Sequence, residues 1–513
     1  MFLLNTISKK DSEDNSRKSR FPVLLLVCTL IIALVWVSFS IFSSGNIRFD
    51  SDRMTYDREG VITQYRSEGR IVLAFLLQYL LPGIWNPVLY GIIFLLFFLA
   101  SGAVLTYFLA RFTSFRWPAL LYALFFLLYG TSPVWAFQVY FTLQSPVVAF
   151  GMLVAVFLAV SDVRIRTEKT SLSLRILLEC TALIGCSVLM LIYQSLIIYY
   201  LTAAAMLLFC CLLEGIAPSW KSVILWALRI VLSLLIYIFI AKSVRSGDSD
   251  YLMYQIQWRR LPVFTCLKDI IIEFGKILFM SHSGHFSLYL PGLIMVVILL
   301  VRKLRGQTVQ KNVAAMQILT AAALLLLPMS ISIMEGSRPV PRTQFALQIV
   351  AAFLPLCFLA ESGKLSRIVL AIGCFIVVLQ SVLVFRLTYT DNCRNDFDVE
   401  AASRISEDIS SAGAQDQPLV FIGSLEFPDD SILLEKTDVF GLSFFEWSVQ
   451  PDQPASATNG SIRMLNATTG TFHSYPDDST VSEAVQLASD MPAYPNEGYC
   501  RSTGSFCIIK LSD

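Results

Sequence analysis

The sequence predicts a polytopic α-helical membrane protein with about 11 transmembrane helices and a small α/β extracytoplasmic C-terminal domain, and three observations carry that prediction. The chain of 513 residues is 55% hydrophobic and only 15% charged, where soluble domains carry roughly 25% charge. Apolar runs of about 20 residues, the length that crosses a bilayer, recur from residue 21 to 387. From residue 388 the composition changes, to 20 Asp and Glu against 6 Lys and Arg.

The apolar runs place spans at about 21–43, 86–110, 117–132, 138–160, 174–192, 196–213, 222–241, 287–301, 312–333, 343–360 and 367–387. The third and eighth are short for a span. The first runs about 23 residues and ends in IFSSGNIR, without a small-x-small cleavage site, so it is expected to remain as an anchor. Orientation follows from Lys and Arg in the short loops. Lys9, Lys10, Arg17, Lys18 and Arg20 precede the first span. Alternate loops then carry Arg111 and Arg116; Arg164, Arg166, Lys169 and Arg175; Lys221; Arg302, Lys303, Arg305 and Lys311; and Lys364 and Arg367. Placing these in the cytoplasm requires an odd number of spans and an external C-terminus.

The expected organisation is a cytoplasmic tail 1–20, a membrane domain 21–387 with external loops 44–85 and 242–286, and an external acidic domain 388–513. In that last domain PLVFIGS (418–424), TDVFGLSFF (437–445) and FCIIKL (506–511) read as short strands by β-branched and aromatic content. Segments 395–411 and 480–490 have helical spacing. Seven of the eleven cysteines fall in or at the ends of spans, as small buried apolar residues. Cys500 and Cys507 flank a possible hairpin, where a disulfide is plausible outside the cytoplasm; Cys266 and Cys393 are a second possible pair. His282 and His285 make half a metal site at most, and no metal or other cofactor is expected.

Residues 44–70 hold five arginines, five carboxylates and no lysine. Asp50 and Asp52 are followed at once by Arg53, and the stretch closes on Gly69 and Arg70. A desolvated carboxylate can accept a proton from an acceptor hydroxyl, and arginine offers a planar fork to phosphate oxygens. The plainer reading is a solvated loop whose charges pair along a short amphipathic helix. The next segment, Ile71 to Trp85, is about 15 residues and too short to span, which suits an interfacial or re-entrant helix.

Other polar residues gather at external membrane edges. Gln138, Tyr140 and Gln144 begin span four, and Tyr193, Gln194 and Ser195 turn between spans five and six. Such residues either face a cavity or belong to the aromatic belt. Arg338 and Arg342, in SRPVPR after Glu335, break the positive-inside pattern. They fit an anion such as a lipid phosphate, or simple pairing with nearby acids. Trp258 and Arg259 are weaker candidates for a lipid phosphate or sugar, and KDIIIEFGKILF reads as an amphipathic surface helix. The sequence has no Gly-rich nucleotide cradle and no large cytoplasmic stretch, so an activated substrate is expected on a membrane carrier at the external face.

Taken in order, these landmarks resemble the type II glucosyltransferases of bacteria and their phages, which modify O-antigen. The resemblance lies in one span, an acidic external loop closing on Gly69-Arg70, the Tyr193-Gln194-Ser195 turn, Arg338-Pro-x-Pro-Arg342, and the ending MPAYPNEGY from Met491 to Tyr499. It implies a GT-C-like fold and an inverting glycosyltransferase, while no residue here names the sugar. A sugar, glucose by the family's name, would pass from an undecaprenyl-phosphate donor to a polysaccharide acceptor, with Asp50 or Asp52 as the base. The family's acids are adjacent, whereas Ser51 separates them here, which leaves open which aspartate acts. Arg53, Arg70, Arg338 and Arg342 are the candidates to hold the departing phosphate, and Tyr140, Gln144, Tyr193, Gln194, Trp258 and Arg259 further substrate contacts.

The same resemblance implies the bacterial inner membrane, with the N-terminus cytoplasmic and the C-terminal domain periplasmic. A small carrier-sugar flippase and a donor synthase are the expected partners, besides the bilayer, and no nucleic acid. A transporter or flippase, or a polymerase or ligase of lipid-linked saccharides, is the alternative class. A transporter would more naturally show ionisable residues in mid-span or repeated halves.

Overall fold

The computed structural model describes residues 21–513 apart from 81–85, 169–170, 245–255, 280–288, 307–310, 345, 363–366, 429–430, 448 and 451. The tail 1–20 and the His282–His285 pair therefore lie outside the described residues. Eight helices among the described residues are long and apolar enough to cross a membrane. They are Phe21–Phe42, Pro87–Phe112, Ser145–Thr167, Leu172–Ile192, Leu196–Leu213, Trp220–Val244, Lys311–Glu335 and Leu370–Ser411. Shorter apolar helices at Ala119–Gly130, Tyr289–Arg302 and Leu347–Glu361 fall on the three remaining apolar runs. The chain is a polytopic membrane protein. It divides into two compact units: Met1–Ile41, Thr63–Tyr140 and Gln144–Val384 form the first, and Phe42–Ile62, Phe141–Leu143 and Phe385–Asp513 the second.

In the first unit, burial separates inner helices from outer ones. The apolar window of Leu196–Leu213 is 89% buried within the protein, against 17% for Trp220–Val244. An apolar helix with so little protein cover is suited to facing lipid. Helix starts are capped locally: Asn86 Oδ1 accepts from Leu89 N at 2.9 Å, with Pro87 in the first turn where its missing N–H costs nothing. Gly91 allows a close crossing, because a Cβ there would fall 1.4 Å from the Ser40 carbonyl oxygen. A buried ionic cluster ties the helices Ser145–Thr167, Leu172–Ile192 and Trp220–Val244 together. Arg229 donates to both oxygens of Asp162 (2.6 and 2.5 Å) and to Glu179 (2.7 Å), while Arg166 reaches Asp162 at 2.8 Å. Two cations and two carboxylates cancel, which is how charge is tolerated at such depth.

The second unit is built on a three-stranded sheet of order β1-β3-β2: β1 is Leu419–Ile422, β2 Cys500–Ser502 and β3 Cys507–Lys510. β1 lies parallel to β3 and β2 antiparallel to it. The helix Asp478–Leu487 packs on one face, where Val420, Ile422, Ala484, Ala488, Met491, Phe506 and Ile508 form a core. Two expected strands are present, but TDVFGLSFF is not one. Asp438 and Gly441 have φ of 51° and 76°, which fold the segment into turns and leave Phe444 and Phe445 buried. One helix runs from Arg367 to Ser411 through residue 388, and the division between the two units falls within it, at Val384 and Phe385. Arg394 pairs with Asp391 and Asp398, three and four residues away, so the polar stretch satisfies itself along the helix. Cys500 and Cys507 are free thiols with sulfurs 3.6 Å apart, and Cys266 and Cys393 are free as well.

Candidate functional site

Two clusters hold most of the candidate residues, one in each unit. In the second unit the loop from Arg48 to Asp57 is fixed from its first residue. Arg48 is buried and donates to Asp391 Oδ2 (Nε 3.1 Å, Nη2 2.8 Å), Thr142 Oγ1 (2.6 Å) and the Ser43 carbonyl (2.7 Å). Asp391 also pairs with Arg394 at 2.9 Å, and Arg394 with Asp398 at 3.1 Å. Asp398 in turn accepts from Ser443 Oγ at 2.6 Å. Phe49 inserts beside this network, stacked on Trp447 at 4.7 Å between centroids and edge-on to Phe444 at 4.6 Å.

The two candidate bases then diverge, because the chain turns tightly. Both Ser51 N and Asp52 N donate to the Arg48 carbonyl, at 3.1 and 3.0 Å. Asp50 is half-buried and its Oδ2 accepts from Leu143 N at 2.8 Å. Asp52 is 2% exposed and held by both oxygens: Arg463 Nε reaches Oδ2 at 2.5 Å and Nη2 reaches Oδ1 at 2.7 Å. Arg463 also donates to the Phe49 carbonyl at 2.8 Å and lies 4.4 Å over the Trp447 ring. Although burial opposes its charge, Asp52 holds the guanidinium pKa above its ordinary value. Arg53 pairs with Asp57 four residues on, with Nε at 3.0 Å.

In the first unit, a cavity of about 260 Å³ is lined by Arg70, Tyr193, Gln194, Ser195, Glu335 and Arg342, with Ile256, Met334, Val340 and Thr343 between them. Gly69 sets the approach: its φ of +75° is open to glycine, and a Cβ would meet Tyr237 Oη at 2.8 Å. Gln194 Nε2 consequently reaches both the Glu68 carbonyl (2.9 Å) and Tyr237 Oη (3.0 Å). The Arg70 guanidinium stands 4.8 Å over the Tyr193 ring, donates to Gln144 Oε1 at 2.9 Å and pairs with Glu68 at 3.1 Å. Two arginines and one glutamate line the cavity, with Glu68 paired to Arg70 behind it, and the guanidinium groups offer forks that an anion could meet.

Arg70, Gln144, Tyr193, Gln194 and Arg342 are thus brought together at or behind one cavity, from segments widely separated in sequence. Other candidates stand apart from its lining. Arg338 is exposed and pairs with Asp269 at 3.1 Å. Trp258 donates to the Ile333 carbonyl at 2.8 Å and covers Gly336, while Arg259 is exposed. Tyr140 is fully buried in the first unit. Among the described residues no three His, Cys, Asp or Glu side chains group to hold a metal ion.

Sequence reasoning missed Arg463, Trp447 and the Asp391–Arg394–Asp398 ladder. Two signals were present: the i, i+3, i+7 spacing of that ladder, and the isolation of Arg463 as the one Lys or Arg between 437 and 500. Glu68, one of the five carboxylates of residues 44–70, is the direct partner of Arg70.

Comparison with known proteins supplies one match. The family model for glucosyl transferase GtrII matches residues 39–359, from the end of the first span through Arg342 and short of the acidic tail. No curated protein and no solved structure matches the chain.

Proposed function

The chain belongs to the GtrII glucosyl transferase family, and from that premise we propose that it moves glucose from an undecaprenyl-phosphate donor to a cell-surface polysaccharide such as O-antigen. The observation that carries the reading is the cavity, where Arg70 and Arg342 are joined by Tyr193, Gln194, Ser195 and Glu335. An aromatic ring, amides and hydroxyls suit a sugar, and two guanidinium groups suit the phosphate that carries it.

The proposed reaction is a single in-line displacement. The acceptor oxygen bonds to the anomeric carbon as the bond from that carbon to the phosphate oxygen breaks. The electron pair leaves with the lipid phosphate, whose charge Arg70 and Arg342 stabilise, and the anomeric centre inverts. The acceptor hydroxyl proton passes to Asp50. Asp50 is preferred to Asp52 because Arg463 occupies both oxygens of Asp52.

An N-terminus in the cytoplasm and a periplasmic C-terminal unit complete the proposal, on the distribution of Lys and Arg, and the GT-C-like arrangement of the eleven spans is taken from the family resemblance. A separate synthase and a small flippase would supply the donor at the external face. Membranes containing the protein, incubated with labelled undecaprenyl-phosphate glucose and polysaccharide, test the reading. Labelled polysaccharide is expected; its absence with wild-type protein, across acceptors from the host strain, would sink the proposal.

A further inference from the structure

The second unit carries an aromatic surface that the proposed chemistry does not use. The helix Thr458–Thr469 ends at Gly470, whose φ of +70° turns the chain into the segment 471–476. Asn466 fixes that segment, accepting from His473 N at 2.8 Å and donating to the His473 carbonyl at 3.4 Å. The His473 side chain is 6% exposed, yet its neighbours project outward, Phe472 at 63% and Tyr475 at 49% exposure. Large apolar rings held outward by an anchored loop call for a partner.

The surroundings narrow what that partner is. Tyr56, from the Asp50 loop, has its ring 6.5 Å from Phe472 and a buried hydroxyl that makes no hydrogen bond among the described residues. Arg53, Arg463, Asp52 and Asp57 all lie within electrostatic reach of the Tyr475 hydroxyl. Rings for stacking, phenol and guanidinium donors and carboxylate acceptors together match a pyranose, which has an apolar C–H face and a rim of hydroxyls.

We propose that Tyr56, Phe472 and Tyr475, rimmed by Arg53, form a subsite for a hexopyranose unit of the polysaccharide acceptor. The subsite belongs to the same unit as Asp50, six residues from Tyr56 in the chain, so a polymer gripped there is kept near the loop that carries the base. This inference rests on the polysaccharide-acceptor reading above, but its test does not require transfer.

Full-length protein in detergent is passed over immobilised O-polysaccharide from the host strain, with no glucosyl donor present. Phe472→Ala combined with Tyr475→Ala should weaken retention about tenfold, while Phe472→Tyr combined with Tyr475→Phe, which keeps both rings, should retain wild-type binding. Equal retention by the alanine and wild-type proteins would overturn the subsite, as would equal loss in the ring-keeping variant. If wild-type protein transfers glucose while the alanine pair binds normally, the subsite fails and the enzymatic reading stands. If binding depends on the rings but no transfer occurs, the subsite stands and the enzymatic reading fails.

Discussion

Asp52 and Arg463 lie 411 residues apart in the chain and meet through two hydrogen bonds, Nε to Oδ2 at 2.5 Å and Nη2 to Oδ1 at 2.7 Å. Breaking a buried pair by removing one partner leaves a charge uncompensated, which costs about 3–5 kcal/mol. Arg463→Met should therefore lower the stability of the second unit by that order, read from thermal unfolding in detergent. Adding Asp52→Leu should recover a large part of the loss. No recovery in the double variant would mean that Arg463 acts through other contacts, such as its place over Trp447.

Acid should destabilise the second unit through His473. Burial holds this imidazole below its ordinary pKa of 6.5. Above 6.5 the ring is neutral in both folded and unfolded chains, so its full contribution is present. As the pH falls, the unfolded ring takes a proton first, and stability drops until the pH passes the folded value. His473→Gln should flatten the dependence of Tm on pH as the pH falls below 6.5. An unchanged slope would remove His473 from the explanation.

The cavity arginines should act on the donor. Replacing Arg70 or Arg342 with Gln removes charge from the departing phosphate, and loss of one such contact commonly costs about 10²–10³-fold in turnover. Arg70→Lys should recover little, because the planar guanidinium also stands over Tyr193 and reaches Gln144. Kinetics with labelled donor decide this; near-normal turnover in Arg342→Gln would place the phosphate elsewhere.

Gly69→Ala tests how the cavity wall is shaped. The φ of +75° is unfavourable for alanine by about 1–2 kcal/mol. The new methyl group would also press on Tyr237 Oη, which binds Gln194. Reduced thermal stability together with a raised KM for the donor is expected; a variant unchanged in both would show that the wall tolerates the shift.

Much of the membrane architecture was legible because apolar runs are local: each of the eleven expected spans coincides with an apolar helix, eight of full length and three short. Arg70, the Tyr193–Ser195 turn and Arg342 were legible for a similar reason, as polar residues at apolar edges. The partner of Asp52 was not, since nothing local links a loop residue to a helix 411 positions later. TDVFGLSFF was misread because its aromatic content matches a strand, while Asp438 and Gly441 turn the backbone. The helix Arg367–Ser411 was not legible as one element, because its apolar half ends near 387 while Arg394, paired with Asp391 and Asp398, carries it on through a polar stretch.

The central assignment, Asp50 as the group that takes the acceptor proton, is tested most directly by the rate of glucose transfer in Asp50→Asn. The amide oxygen can still accept from Leu143 N, so folding should be preserved while proton acceptance is lost. Transfer is expected to fall by about 10²–10⁴-fold at an unchanged melting temperature. Transfer at the wild-type rate by folded Asp50→Asn protein would contradict the assignment.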